Sequence, residues 1–168
     1  MRHKTFFKQI EKIIKEKSML KHPYYRVWQK GELTKKELQE YAKQYYYLEQ
    51  LFPQCMSSIH AHCGDADTRQ TILKNLNGEE LGKDNHMGQF MDFCKGLGVS
   101  SAEIKKTPAN KRTREFVKTF SNLAQDPDIV KGLAMMVAYK QQISGVGKTK
   151  VEGLKEFYNI TDRKSLKF

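Results

Sequence analysis

The sequence predicts an all-α fold, a bundle of helices that forms one domain over residues 1–168. Apolar residues recur three and four positions apart through almost the whole chain, which is the spacing of one face of an α-helix. No segment of the sequence has the alternating apolar and polar pattern of a β-strand. With 168 residues the chain is long enough for one domain with a hydrophobic core.

The first four predicted helices follow from apolar spacing together with proline and capping residues. They cover residues 6–20, 24–29, 34–62 and 66–78. Pro23 ends the first helix, because proline disfavours helical geometry in the preceding residue, His22. Thr34 and Glu37 form a capping box at the start of the third helix. Pro53 is expected to kink that helix, because proline lacks the backbone N–H.

The later helices are marked in the same way. They cover residues 87–94, 116–124, 127–139 and 151–158. Ser100 and Glu103 form a second capping box, which marks a helix start. Asp126 is the predicted cap of the helix that follows, with Pro127 at its first helical position. Residues 144–147, Ser-Gly-Val-Gly, are predicted to form a turn between the last two helices.

Gly147-Lys148-Thr149 resembles the end of a phosphate-binding loop, but the rest of that motif is missing. Such a loop needs a glycine five positions before Gly147, between a strand and a helix. Position 142 is a glutamine, and the segment around it is predicted to be helical. We therefore exclude a nucleotide site of this type and expect Lys148 and Lys150 to begin a solvated helix.

Composition restricts the classes of function. The net charge of +11 favours nucleic acid, but the lysines are spread over every segment and the densest basic run, residues 105–114, has no aromatic residue to stack on bases. No apolar run reaches the roughly 18 residues of a membrane span, and the N-terminus lacks the apolar region of a signal peptide. We expect a cytoplasmic protein that binds neither nucleic acid nor membrane, with Cys55, Cys63 and Cys94 reduced and buried.

Glu79 and His86 are candidate metal ligands, because helical bundles build dinuclear metal sites from inward-facing glutamate and histidine side chains. On a straight helix the two residues would lie about 10.5 Å apart along the axis, which is long for two ligands of one ion. A break at Gly82 would shorten this distance, since glycine tolerates such a break. An ordinary helix end is the alternative interpretation, and the spacing alone does not decide between the two.

Several motifs together resemble the heme-oxygenase-like TenA/PqqC superfamily, and within it the CADD-like members. They are residues 22–34, 41–46, 52–53, 59–60, 79–82 and 85–86. The resemblance extends from the first helix to Tyr158. It implies a helical bundle, often a homodimer, that acts as a dinuclear iron or iron–manganese oxygenase in the synthesis of p-aminobenzoate for folate.

The resemblance also implies roles for individual residues. Tyr25 matches the tyrosine that the family consumes as the source of the aromatic ring, and Lys150 matches the lysine that donates the amino group. Glu79 and His86 match two ligands of one metal. Lys140 stands where the family has a metal-binding glutamate, and an ammonium group has no lone pair to give to a metal.

The family also has a late helix with a His-x-x-x-Asp-x-x-His set, which has no counterpart before Phe168, so the bundle is expected to lack its last helices. We therefore expect an oxidoreductase fold with reduced or no activity, a pseudoenzyme in the extreme case. Two alternatives stay open. One is a non-catalytic interaction module that binds itself or a death-domain-type partner. The other is a TenA-like small-molecule binder with a cysteine nucleophile. Secretion into a host cell without a readable signal is the alternative to the cytoplasmic location.

Missing helices have a physical consequence for the surface of a bundle. They leave an apolar stripe uncovered, and such a stripe needs a partner. The sequence therefore predicts self-association, with a homodimer as the expected form.

Overall fold

The computed structural model describes residues 2–168, with side chains from Thr5 onward. All regular structure among these residues is helical, and they contain no strand. The α-helices are α1 (Arg2–Glu16), α2 (Pro23–Gln29), α3 (Lys35–His62), α4 (Ala66–Glu80), α5 (His86–Gly96), α6 (Ser101–Lys106), α7 (Lys111–Ala124) and α8 (Ile129–Tyr158), and a 3₁₀ turn, Met19–Lys21, lies between α1 and α2. The predicted all-α fold is confirmed.

The helix starts that depend on capping boxes lie where the sequence places them. At the start of α3, the Glu37 N–H donates to Thr34 Oγ1 at 3.2 Å and the Thr34 N–H donates to the Glu37 carboxylate at 2.7 Å. Ser100 and Glu103 repeat this arrangement at the start of α6. These contacts satisfy N–H groups that have no partner inside the helix, and they are purely local. α3 continues through Pro53 to its end at His62.

The last helix differs from the prediction, because residues 144–147 are helical and do not form a turn. None of them has the left-handed backbone that commonly ends a helix; Asn159, just after α8, has it with φ +53°. A glycine inside a helix costs only about 1 kcal/mol relative to alanine. The buried stripe continues past both glycines through Val146, Lys150 and Leu154. Its periodicity outweighs the two glycines, and it also buries Lys150, which we expected to be solvated.

The start of α8 lies two residues later than predicted. Asp126 accepts the N–H of Asp128 at 2.9 Å and forms an ion pair with Lys131 at 2.8 Å. Asp128 in turn accepts the N–H of Val130 at 3.1 Å, so it caps the helix in place of Asp126. Pro127 therefore lies in the turn before α8.

The chain divides into two compact units. The first contains the residues up to Leu33 together with Val137–Asn159, and the second contains Thr34–Met136 with Ile160–Phe168. In the second unit α3 packs against α4, α5, α6 and α7. The expectation of one domain over residues 1–168 stays a prediction.

In the first unit, the segment that contains α2 runs parallel to the later part of α8. Four contacts define this register: Met19 with Gln142, Leu20 with Gly145, Trp28 with Gly153, and Leu33 with Tyr158. The partners are 123 positions apart in the first contact and 125 in the last. Trp28 is fully buried, and a Cβ atom at Gly153 would lie 2.5 Å from its Nε1 atom. Glycine at position 153 therefore permits the close approach of the two helices.

Gly153→Ala is expected to lower the free energy of unfolding by about 1–3 kcal/mol, because the added methyl group overlaps the buried Trp28 ring. Gly147 lies in the same helix, and no atom outside it comes within 4 Å of the position of its missing Cβ. Gly147→Ala is therefore expected to raise the free energy of unfolding by up to about 1 kcal/mol. Urea denaturation measures both changes. Effects of the same sign would contradict the packing that we assign to Trp28 and Gly153.

None of the helices in the described part of the chain is long and apolar enough to cross a membrane.

On α1, Phe6, Phe7 and Ile13 are each more than half exposed. An apolar face of this kind agrees with the expected self-association. The homodimer, the absence of nucleic-acid binding and the cytoplasmic location stay predictions.

Candidate functional site

The helical structure is interrupted between α4 and α5, in the segment that separates the two predicted metal ligands. α4 ends one residue after Glu79, Gly82 has a φ of +82°, and Asn85 caps α5, which begins at His86. Positive φ is easily adopted by glycine. The break brings Glu79 Oε2 to 3.1 Å from His86 Nδ1. The structure thus brings the two residues together through a break at Gly82, and their role as ligands stays a prediction.

A second acidic side chain, which the sequence analysis missed, contacts the same imidazole. Glu49 on α3 is only 5% exposed, and its Oε2 atom lies 3.0 Å from His86 Nδ1. It is in the buried stripe of α3, three positions before Phe52 and seven before Met56. A charged residue in an apolar stripe is the sequence signal that could have identified it. We refer to these three side chains as the Glu49–His86–Glu79 cluster.

His86 is protonated at neutral pH in this cluster. Its Nδ1 atom is buried, and although both carboxylate oxygens lie within 3.1 Å, neither is aligned as a hydrogen-bond acceptor. The contacts are therefore close ion pairs. Burial acts to lower the pKa of His86, but contact with the two carboxylates outweighs burial and raises the pKa to about 9. The imidazolium holds the two acidic side chains together.

The cluster has the chemistry of a donor set for an iron or manganese ion. Carboxylate oxygens and imidazole nitrogens are the side-chain ligands of such ions in helical bundles. Across the described residues, no group of three or more His, Cys, Asp and Glu side chains has the arrangement of an assembled metal site. The three side chains are joined by ion pairs around a proton, and a cation would have to take the place of that proton.

A cleft of about 330 Å³ opens beside the cluster. It is lined by Glu49, Gln50, Pro53, Gln54, Glu79, Glu80, Asn85 and Met87. Two of the three charged side chains of the cluster therefore line a space that an ion or a small molecule can enter. The Phe168 ring packs against the imidazole, with 4.9 Å between the ring centroids, and also packs against Phe90 and Phe93.

The metal-free protein is expected to lose stability as the pH rises from 6.5 to about 9. The pKa of His86 is higher in the folded protein than in the unfolded chain, so its contribution is complete below pH 6.5 and is lost as the pH passes about 9. Since the side chain is 36% exposed, we expect a loss of about 1–2 kcal/mol, less than the full shift implies. Urea denaturation at a series of pH values, with a chelator present, measures it.

His86→Gln should flatten this pH profile. The control is His62→Gln, which removes a histidine whose ring contacts a backbone carbonyl, that of Ser58, at 2.9 Å. This control should keep the wild-type profile. A profile that is unchanged in His86→Gln would show that the two carboxylates do not stabilise a protonated His86.

The other two predicted site residues, Tyr25 and Lys150, lie in the first unit. Both are buried, with exposures of 9% and 5%. Tyr25 is three positions before Trp28 and Lys150 is three positions before Gly153, so each lies on the contacting face of its own helix. Their separation along the chain is 125 positions, the same as in the contact between Leu33 and Tyr158. The parallel register therefore places Tyr25 and Lys150 at the same level of α2 and α8.

Comparison with known proteins adds the identity of the family. A model of the TENA/THI-4/PQQC family matches residues 7–162. The chain belongs to this family. Its helices therefore form the heme-oxygenase-like fold of the TenA/PqqC group, and the resemblance found in the motifs is confirmed.

Three 4-aminobenzoate synthases are similar to this chain over most of its length. The chain is 39% identical over 158 residues to the 4-aminobenzoate synthase of Chlamydia muridarum, covering 94% of this chain and 67% of that protein. It is 36% identical over 159 residues to the 4-aminobenzoate synthase of Chlamydia pneumoniae, covering 95% and 71%. It is 33% identical over 173 residues to that of Nitrosomonas europaea, covering 98% and 70%. These relatives support the family role that the motifs imply.

The three cysteines are all buried in the structure. Cys55, Cys63 and Cys94 are free and buried, as predicted. Burial raises the pKa of the Cys55 thiol to about 11. A reactive cysteine needs a lowered pKa and access to solvent or substrate, so Cys55 does not support the TenA-like alternative.

Proposed function

We propose that this protein forms 4-aminobenzoate from its own side chains. Tyr25 is the proposed source of the ring and Lys150 the proposed source of the amino group. The relatives named 4-aminobenzoate synthase support this function. The observation that carries the proposal is the placement of the two residues, which are both buried and lie at the same level of two parallel helices.

The atoms of the product match these two side chains. A tyrosine side chain is a benzene ring with a one-carbon substituent opposite a hydroxyl group, and 4-aminobenzoate is a benzene ring with a carboxylate opposite an amine. The bond between Cα and Cβ of Tyr25 would break, and Cβ would become the carboxylate carbon through oxidation by O₂. The bond between Nζ and Cε of Lys150 would break, so that its amine replaces the phenol oxygen, which leaves as water, and O₂ would oxidise Cε to an aldehyde. Cα of residue 25 would take up a hydrogen in place of the lost side chain. Each chain would then give one molecule of product.

The proposed cofactor is iron, alone or with manganese, with Glu79 and His86 among its ligands. When bound, such a metal supplies the activation of O₂ that the oxidation needs. Deprotonated His86 would provide the nitrogen ligand, while the carboxylate of Glu79 provides an oxygen. Lys140, at the position of a family ligand, provides a positive charge and no lone pair. We therefore propose a lower activity than that of the relatives.

The test uses protein that contains tyrosine labelled with ¹³C in the ring. The metal-free protein is loaded anaerobically with Fe(II) and Mn(II), exposed to O₂, and analysed by mass spectrometry. We expect labelled 4-aminobenzoate at no more than one molecule per chain, and the loss of a tyrosine side chain at position 25. Tyr25→Phe should give no product. Tyr24→Phe alters the adjacent ring, 5.6 Å away between centroids, and should keep the wild-type yield.

Labelled product from Tyr25→Phe would contradict the role of Tyr25. If the metal-loaded wild-type protein gives no labelled product, the proposal is wrong, and the non-catalytic interaction module becomes the better interpretation.

A further inference from the structure

The Glu49–His86–Glu79 cluster contains one more carboxylate than the family resemblance assigns to it. We infer that Glu49 is a third ligand of the metal that Glu79 and His86 hold. This inference rests on the proposed function and adds a ligand to the metal site proposed there. It concerns a residue that enters from a different helix, α3, whereas Glu79 and His86 lie at the facing ends of α4 and α5.

The burial of Glu49 is costly and calls for a compensating interaction. Its side chain is 4% exposed, in a stripe of α3 that otherwise carries apolar residues such as Leu48, Phe52 and Met56. Moving a carboxylate out of water costs several kcal/mol, and an apolar side chain would fill the position at lower cost. A buried charged residue in an otherwise apolar stripe is a candidate for a functional role.

The side chains of the cluster are close enough together for one ion to replace the proton between them. Oxygen and nitrogen ligands lie about 2.0–2.2 Å from such an ion, so two ligands at right angles are about 3 Å from each other. Glu49 Oε2 and Glu79 Oε2 lie 3.0 and 3.1 Å from His86 Nδ1.

Charge within the cluster also favours a cation. Glu49 and Glu79 bring two carboxylates to one imidazole nitrogen, and a divalent cation would match their two negative charges. Because Glu49 and Glu79 both line the cleft beside the cluster, an ion can reach them without passing through the core.

The test compares metal binding in the wild-type protein, Glu49→Gln and Glu80→Gln. Mn(II) affinity is measured by titration calorimetry, and the ligand field by the visible absorption of Co(II) bound in place of the native metal. Glu49→Gln is expected to weaken Mn(II) binding by at least about tenfold and to change the Co(II) spectrum. Glu80→Gln removes the same charge from an exposed residue of the same cleft, and should leave both measurements close to wild type.

Two further variants separate this inference from the proposed function. Loss of binding in Glu79→Gln and His86→Ala, with wild-type affinity and spectrum in Glu49→Gln, would overturn the role of Glu49 and leave the proposed metal site intact. A wild-type protein that binds neither Mn(II) nor Co(II) would overturn both. If Glu49→Gln does not fold, as judged by circular dichroism, Glu49→Asp takes its place. This variant keeps the charge but withdraws the carboxylate, and an unchanged Co(II) spectrum would then contradict the inference.

Discussion

Lys150→Arg is expected to abolish 4-aminobenzoate formation in a protein that still folds and still binds metal. Arginine keeps a positive charge and a long side chain, but its guanidinium group stays protonated and carries no amine that could be transferred to a ring. Lys150 is 5% exposed and lies at the level of Tyr25, so no other lysine can replace it without a change in the packing of α2 on α8. The loss should therefore be complete.

The measurement uses protein labelled with ¹⁵N in the lysine side chain, so that the nitrogen of the product reports its origin. Lys148→Arg is the matched control, because this residue lies two positions away, is 78% exposed and pairs with Glu152 at 3.9 Å. It should keep the yield and the label of the wild-type protein. Labelled product from Lys150→Arg, at the wild-type level, would show that another group donates the nitrogen. Thermal unfolding checks that the larger side chain has not unfolded the first unit.

The parts of the fold that the sequence predicts correctly depend on short-range contacts. The starts of α3 and α6 follow from capping boxes whose partners are three residues apart. A break at Gly82, between α4 and α5, follows from the conformational freedom of glycine. Because these signals are local, they can be identified without knowledge of the rest of the structure.

The incorrect predictions concern positions whose structure depends on contacts with residues far away in the sequence. Gly145 and Gly147 resemble a turn when taken alone, but they continue α8, because the packed stripe of that helix extends beyond them. Gly153 appears in the sequence as one more glycine, and only its contact with Trp28 shows that it sets the distance between α2 and α8. The matching level of Tyr25 and Lys150 depends on that contact and could not be predicted from spacing.

Glu49 was missed for a different reason. Its position in the buried stripe of α3 can be read from the sequence, but the residues around it are mainly aromatic and suggest a core helix. That interpretation is correct for its neighbours: Tyr45 and Tyr46 pack against Phe90, and Tyr47 donates a hydrogen bond to the Thr107 carbonyl at 2.7 Å. A buried acid among core residues must have a partner, and the partner here belongs to a different helix.

Lys140→Glu is expected to increase metal binding and the yield of 4-aminobenzoate. By resemblance to the family, position 140 follows Tyr139 where a metal-binding glutamate is expected. At such a ligand position a lysine would offer no lone pair and would repel a dication, whereas a carboxylate would supply a ligand and attract the ion. We expect the affinity for Mn(II) or Fe(II) to rise by at least about tenfold, which is the scale on which a single ligating or supporting group affects a metal site.

Two control variants separate the possible causes of such an increase. Lys140→Gln removes the repelling charge without adding a carboxylate, so it should recover only part of the affinity. Lys155→Glu makes the same change of charge at an exposed position of the same helix, and should have little effect at physiological ionic strength. If Lys140→Glu binds metal no better than Lys140→Gln, position 140 does not supply a ligand. If both bind better than Lys155→Glu, the lysine suppresses metal binding by its charge, and the reduced activity that we propose has an electrostatic cause.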